Sequence, residues 1–204
     1  MQIIDDAIPK EYQDFLETLL LNNNHFPYYY ESNTVTGLDE ELVENSDDII
    51  VQPQFVHKFY DCGEILSTAY DNIMLIFDGT GIESLSPIRL KVNLLHSPFD
   101  RSKGIHHIPH IDNDNGNHIS FIYYVNDSDG DTYLFDKVLD KNSSKETYKR
   151  KVSNLKIKKR VSPKKGRILI FDSNRFHASS PPLNHPTRCV INMVFKELNT
   201  SIKA

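Results

Sequence analysis

Two cysteines in 204 residues, Cys62 and Cys189, are too few for a disulfide framework and fit a reducing interior better than a secreted scaffold. No apolar run approaches the ~20 residues of a membrane span, so the sequence offers no membrane segment. The start, Met1 to Lys10, lacks the basic lead and apolar stretch of an export signal. A cytoplasmic setting is therefore expected. Internal repeats and low-complexity linkers are also missing, and the length suits one domain, 1–204, able to bury a sizeable core. The net charge of −5 argues against nucleic-acid affinity spread over the whole surface.

What is present is unevenly distributed. Eleven Lys and Arg stand against a single Glu146 between Lys145 and Arg167 ("KETYKRKVSNLKIKKRVSPKKGR"), while acid is concentrated in Leu38 to Asp48. The basic run reads as a solvated, lysine-protected edge strand with its flanking loop, or as a docking patch for an acidic partner. Upstream, "EYQDFLETLLL" places Tyr12, Phe15, Leu16, Leu19 and Leu20 on one helical face behind Pro9. A second helix is expected over "GEILSTAYDNIMLIF", Gly63 to Phe77, closed by "DGTG". Between them "IIVQPQFVHKFY" has strand composition. From Pro87 the pattern becomes about eight short extended runs separated by turn residues. That spacing predicts a β-sandwich or barrel, with a helical N-terminal layer (1–86) over one sheet of a core spanning 87–197.

One stretch, "GIHHIPHIDND" (Gly104 to Asp114), gathers three histidines and two aspartates. Within it His110-Ile-Asp112 puts an imidazole and a carboxylate two residues apart, which on an extended strand leaves both on the same face. A metal would need a third ligand, and a second distant histidine would complete the two-His, one-carboxylate set of non-haem Fe(II) sites. His118, His177 and His185 are the downstream candidates. Without that third ligand, Asp112 is equally well a turn-initiating residue.

The segments around His177 carry more. "HID", "FIYYVND" followed by "DGDTYLF", "VSPKKGRILIFDSNRFH", the arginine-led "RCVINMVF" and the strand "IRLKVNLL" occur in that character across Ile88 to Phe195. Together they resemble the double-stranded β-helix core of 2-oxoglutarate- and Fe(II)-dependent oxygenases, in the prolyl-4-hydroxylase-like branch with its small phage-type members. The resemblance implies that His110, Asp112 and His177 hold Fe(II) and that Arg188 binds the far carboxylate of 2-oxoglutarate. A planar guanidinium suits that role because it pairs bidentately with a carboxylate. O₂ is the implied co-reactant and ascorbate a candidate reductant. Asp129 departs from the pattern, standing where the family has a glycine.

Other positions are less marked. Tyr124 sits where the family often places a hydroxyl near the cosubstrate, and Asn93 is a polar residue in an otherwise apolar strand, read as a cosubstrate contact. Asn192 is similarly placed. His106 shares strand parity with His110 and is expected at the pocket mouth, with His107 facing away. Cys189, next to Arg188, is expected on the opposite face as a small core residue. The expected protein is mostly β (α+β), a double-stranded β-helix (jelly-roll) core carrying N-terminal helices. Its expected activity is that of a 2-oxoglutarate-dependent dioxygenase hydroxylating a C–H bond, a peptidyl side chain such as proline being the first substrate considered. The rivals are a non-catalytic binding barrel and a cupin-like metalloenzyme that does not use 2-oxoglutarate.

Overall fold

The computed structural model describes residues 1–35, 48–77, 85–98, 104–114, 117–152 and 154–198. Most of the acidic run Leu38 to Asp48, the "DGTG" segment and most of the "SPFDRSKG" turn lie outside these. The N-terminal part supplies β1 (Gln2–Ile4), helix α1 (Lys10–Glu17) continued by a π-helical turn (Thr18–Asn22), β2 (Tyr29–Glu31), β3 (Ile49–Ile50), β4 (Gln54–Asp61), β5 (Glu64–Ile65) and the short helix α2 (Tyr70–Met74). Then follow β6 (Leu85–His96), β7 (His106–His107), β8 (His118–Tyr124), β9 (Thr132–Val138), helix α3 (Lys145–Val152), β10 (Ile157–Val161), β11 (Ile168–Asp172), β12 (Arg175–Ser179) and β13 (Thr187–Glu197). Every extended run expected downstream of Pro87 contains a strand, though "IHHIPHI" is strand only at His106–His107.

The main sheet runs β1-β11-β8-β13-β6-β4-β2, with β5 added beside β4. A smaller sheet, β10-β9-β12, faces it, and β3 pairs with β7. All main-sheet pairs are antiparallel. Antiparallel sheets facing each other in this order form the double-stranded β-helix. Period two sorts the side chains of the main sheet into two faces. Leu90, Val92 and Leu94 of β6, Phe121 and Tyr123 of β8, Ile168 and Ile170 of β11, and Cys189, Ile191, Met193 and Phe195 of β13 pack with Leu16, Leu20 and Ile73 in one core. The other face carries Ile122, Tyr124, Leu169, Phe171 and Val190, which meet Leu134 of the small sheet. Arg89, Lys91 and Asn93, and likewise Arg188 and Asn192, belong to that second, concave face by the same alternation.

The expected second helix is the main departure. Gly63 to Phe77 begins as a hairpin, with Tyr60 opposite Ile65 and Asp61 opposite Glu64; helix covers only Tyr70–Met74. The turn residues Cys62 and Gly63 both have positive φ, 47° and 104°, the conformation that two-residue hairpin turns require. A glycine read as a helix start is the second residue of a turn. The basic run departs in part: β10 within it is an exposed edge strand, as expected. The first part of the run is helix α3, whose first turn Ser144 caps by accepting from the Thr147 backbone N–H at 3.1 Å. Much of its charge is then met internally: Lys151 pairs with Asp140, Arg160 with Asp131, Lys164 and Arg167 with Asp5, and Lys165 with Asp14 and Glu17.

Candidate metal centre

His177 lies inside β12, and His110 lies in the segment that reaches it after β7. The two backbones exchange both hydrogen bonds, His110 N–H to His177 O at 2.9 Å and the reverse at 2.8 Å. This bridge brings residues 67 positions apart edge to edge, their rings 4.4 Å between centroids. Asp112 follows, its N–H donating to Ser173 O at 2.9 Å, so its carboxylate crosses from the small sheet toward the main one. One ligand atom from each of His110, Asp112 and His177 lies within 4.8 Å of the others. His118, at the start of β8, is not part of the group, and exposed His185 sits 3.2 Å from Asp129 instead.

Both imidazoles are pre-set for metal. His110 Nδ1 is 3.1 Å from Ile108 O, and His177 Nδ1 is 3.0 Å from Arg175 O. Each carbonyl takes an Nδ1–H, which leaves Nε2 as the lone-pair nitrogen. Burial, followed by the neighbouring His177, holds the His110 pKa down to about 3, keeping the ring neutral as a ligand must be. Burial works against ionisation of Asp112, but His177, Arg89, His110 and a hydrogen bond from Ser120 outweigh it and keep the carboxyl well below its usual range. Arg89 donates to Asp112 Oδ1 at 2.6 Å, Ser120 to Oδ2 at 2.6 Å, and Asn192 to Oδ2 at 3.3 Å. Three strands of the main sheet thus orient the one carboxylate. Arg89 and Ser120 escaped the sequence reading, because a polar residue every second position reads the same for a solvent face as for a pocket wall.

A second feature lies along β13. Arg188 is 2% exposed. Its Nε donates to Gly130 O at 2.7 Å and an Nη to Thr132 Oγ1 at 2.9 Å. No carboxylate pairs with it among the described residues, and burial lowers its pKa. Tyr124 also donates to Thr132 Oγ1, at 2.7 Å, and its ring lies 5.9 Å from the guanidinium carbon; burial pushes this phenol up to about 12. Tyr124 therefore adjoins Arg188. Asn93 is half-buried on the concave face of β6 opposite Val190, and its carboxamide oxygen has no partner. Gly130 has a steric reason: a Cβ there would meet Ser180 O at 2.7 Å and Arg188 Cδ at 2.8 Å. Asp129, the departure from the family pattern, accepts from the N–H groups of Leu183, Asn184 and His185 and so pins the proline-rich loop ahead of Arg188.

The expectation for the adjacent histidines is reversed. His106 packs tilted against Tyr133 and edge-on against Phe135, at 5.3 and 5.2 Å between centroids, with Nδ1 on His107 O. His107 is wholly buried, bonded through Nδ1 to Ser179 Oγ at 2.9 Å, and its Nε2 has no partner. Burial first, then the charge of Arg188, lowers its pKa to about 3, and the bond to Ser179, two residues along β12 from His177, puts His107 on the site side. Parity counted from His106 to His110 fails because β7 ends at His107 and Ile108–Pro109 is not strand. Cys189 is buried in the helix-side core as expected, 3.9 Å from the Tyr28 hydroxyl.

Paired sheets that enclose two imidazoles, a carboxylate and an unpaired buried arginine define the frame of a non-haem iron oxygenase that takes a dicarboxylate. Residues 97–196 match the family model described as the 2OG-Fe(II) oxygenase superfamily. Its members are oxidoreductases that use Fe(II), 2-oxoglutarate and O₂. A comparison with curated protein sequences gives no match. Among solved structures, the chain is similar to the epimerase SnoN from nogalamycin biosynthesis, in complex with Fe³⁺, α-ketoglutarate and nogalamycin RO (10% identity, 96% of this chain and 78% of that one, TM-score 0.60). It is similar to a Trichoplax adhaerens prolyl hydroxylase in complex with a hypoxia-inducible-factor peptide (15%, 96% and 83%, 0.56). A Pseudomonas putida prolyl-4-hydroxylase is a third (13%, 97% and 92%, 0.51). At these identities the likeness is one of fold. No helix among the described residues is long and apolar enough to cross a membrane.

Proposed function

We propose that this protein is a single-domain 2-oxoglutarate-dependent hydroxylase in which His110, Asp112 and His177 hold Fe(II) and Arg188 anchors the cosubstrate. The observation that carries this reading is the triad: three ligand atoms within 4.8 Å, both imidazoles fixed with Nε2 available. The donor set, two nitrogens and one oxygen, is the facial arrangement that leaves adjacent positions open on Fe(II). Bound there, iron and 2-oxoglutarate supply the oxidising chemistry, with succinate and CO₂ released; the chain's own residues bind, orient and exclude water.

Their roles follow from position. Arg89, Ser120 and Asn192 hold Asp112 so that its carboxylate is fixed before metal arrives. Arg188, kept in place by Gly130 O and Thr132 Oγ1, offers an already desolvated guanidinium to the far carboxylate, where a charge-assisted pair is strongest. Tyr124 donates its hydroxyl hydrogen to Thr132, which orients the same hydroxyl that accepts from Arg188; Asn93 adds an unpartnered amide oxygen on the same face. The substrate considered first is a peptidyl side chain such as proline, by analogy with the hydroxylases of this fold.

Anaerobic titration of apoprotein with Fe(II), then 2-oxoglutarate, tests this through the visible metal-to-ligand charge-transfer band. A band that requires both His110 and Arg188, judged with His110→Ala and Arg188→Met, is the expected result. Iron binding without a band would favour a metalloenzyme that does not use 2-oxoglutarate. No iron binding would leave a binding barrel.

A further inference from the structure

We propose that Lys91 is the binding group for a carboxylate or phosphate carried by the substrate, close to the carbon that is oxidised. This rests on the reading of His110, Asp112 and His177 as the iron site. Lys91 lies on β6 between Arg89 and Asn93, on the concave face, and its register partner on β13 is Asn192. Asn192 touches Asp112, so Lys91 stands one strand spacing, about 4.8 Å, from a residue in contact with the triad.

Its surroundings do not account for its charge. Lys91 is half-buried and makes no hydrogen bond or ion pair among the described residues. The nearest cations are used elsewhere: Arg89 by Asp112 at 2.6 Å and Lys58 by Asp61 at 2.8 Å. Asp112 and Glu31 are close enough to act on Lys91 electrostatically, yet Asp112 is engaged by Arg89, Ser120 and Asn192 and Glu31 accepts from Gln54 at 2.8 Å. Loss of water around the ammonium, with Arg89 beside it, makes the charge costly there. A cation kept desolvated, with both carboxylates in reach already engaged by other donors, is suited to meeting an incoming anion.

The two ends of the concave face are then chemically matched. Arg188 is four residues along β13 from Asn192, about 13 Å on the same face, and pairs with no carboxylate among the described residues. The cosubstrate has only one carboxylate to spare beyond the metal-chelating end, and Arg188 takes it. Lys91, beside the triad's Asp112 and far along the strand from Arg188, is left for the substrate. A substrate with an acidic group near the target carbon would be held by that group while its C–H faces the metal.

The test uses protein loaded with Zn(II), which binds without turnover, and saturated with 2-oxoglutarate so that Arg188 is occupied. Calorimetry then compares matched probes: N-acetylglutamate against N-acetylglutamine, and N-acetylphosphoserine against N-acetylserine. Wild type is expected to prefer at least one anionic member tenfold or more, Lys91→Met to lose that preference, and Lys91→Arg to keep it. The carboxylate and phosphate arms show which anion is favoured. Equal responses of wild type and Lys91→Met to every probe, including no binding at all, overturn the assignment. So does loss of the Fe(II)–2-oxoglutarate charge-transfer band in Lys91→Met alone, which would make Lys91 a cosubstrate contact. Absence of the band in wild type would instead refute the iron-site reading on which this rests.

Discussion

Arg188→Met should cost the protein its cosubstrate while costing it little stability, and the two effects can be estimated separately. In the ligand-free protein Arg188 is a fully buried cation with hydrogen bonds to Gly130 O and Thr132 Oγ1 but no carboxylate among the described residues. Methionine, unbranched and able to fill irregular space, removes the desolvated charge. It leaves one orphan, the Gly130 carbonyl, because Thr132 Oγ1 still accepts from Tyr124. An orphaned carbonyl costs about 1–3 kcal/mol, and relief of an unpaired buried charge is of comparable size and opposite sign. The net change should stay within about 2 kcal/mol, or roughly 4–8 °C in Tm for a chain of this size. Binding behaves differently. Two hydrogen bonds between ions are worth about 1.5–3 kcal/mol each, so 2-oxoglutarate affinity should fall about 10²- to 10⁴-fold. At 2-oxoglutarate one hundredfold above its wild-type Kd, the metal-loaded wild type gains about 2.7 kcal/mol and melts roughly 5–10 °C higher. At the same concentration the variant should gain about 1 °C or less. Differential scanning fluorimetry with and without 2-oxoglutarate reads both quantities. A variant that keeps the full ligand-induced shift, or one that fails to fold, would refute the reasoning.

Other consequences follow from the same contacts. Gly130→Ala places a methyl 2.8 Å from Arg188 Cδ; it should raise the 2-oxoglutarate Kd about tenfold or more by displacing the guanidinium, with Fe(II) affinity unchanged in a separate titration. Asp112→Ala should abolish Fe(II) binding and also destabilise the metal-free fold by about 1.5–3 kcal/mol, since Arg89, partly exposed and still bonded to Asn192, loses a charged acceptor; urea denaturation of the apoprotein measures this. The apoprotein should be acid-labile from an unusually high pH. His107 and His110 both titrate near 3 when folded but near 6.5 when unfolded, so below 6.5 the unfolded chain binds more protons. Stability is then fully present above about 6.5 and falls as pH drops toward 3, each histidine adding at most about 1.4 kcal/mol per pH unit. Urea midpoints at pH 7.5, 6 and 5 should show the decline, and His107→Gln should flatten it; a flat profile in wild type would count against buried neutral imidazoles.

How much of this was legible beforehand depends on what each residue's neighbours in the chain can say about it. The strands from β6 to β13 were readable because period-two alternation and turn residues are local properties, and the side assigned to Cys189 followed from parity within a continuous strand. His106 and His107 were assigned the wrong way round for the same reason: parity holds only while the strand does, and Pro109 ends it. Gly63 was misread because a glycine that serves a hairpin turn and one that precedes a helix look alike until the partner strand is known. Arg89 and Lys91 show a deeper limit. "IRLKVNLL" alternates polar and apolar residues as any half-exposed strand does, and whether its polar face meets water or a site depends on a second sheet more than thirty residues downstream. Only the residue chemistry hinted at the answer. A solvent face tolerates any hydrophilic residue, whereas this face sets Arg89, Lys91 and Asn192 near one carboxylate and holds Arg188 further along. Three nitrogen-bearing side chains near a single Asp112, with Arg188 further along the face, would be poor design for stability alone, and they are intelligible if anions are meant to arrive there.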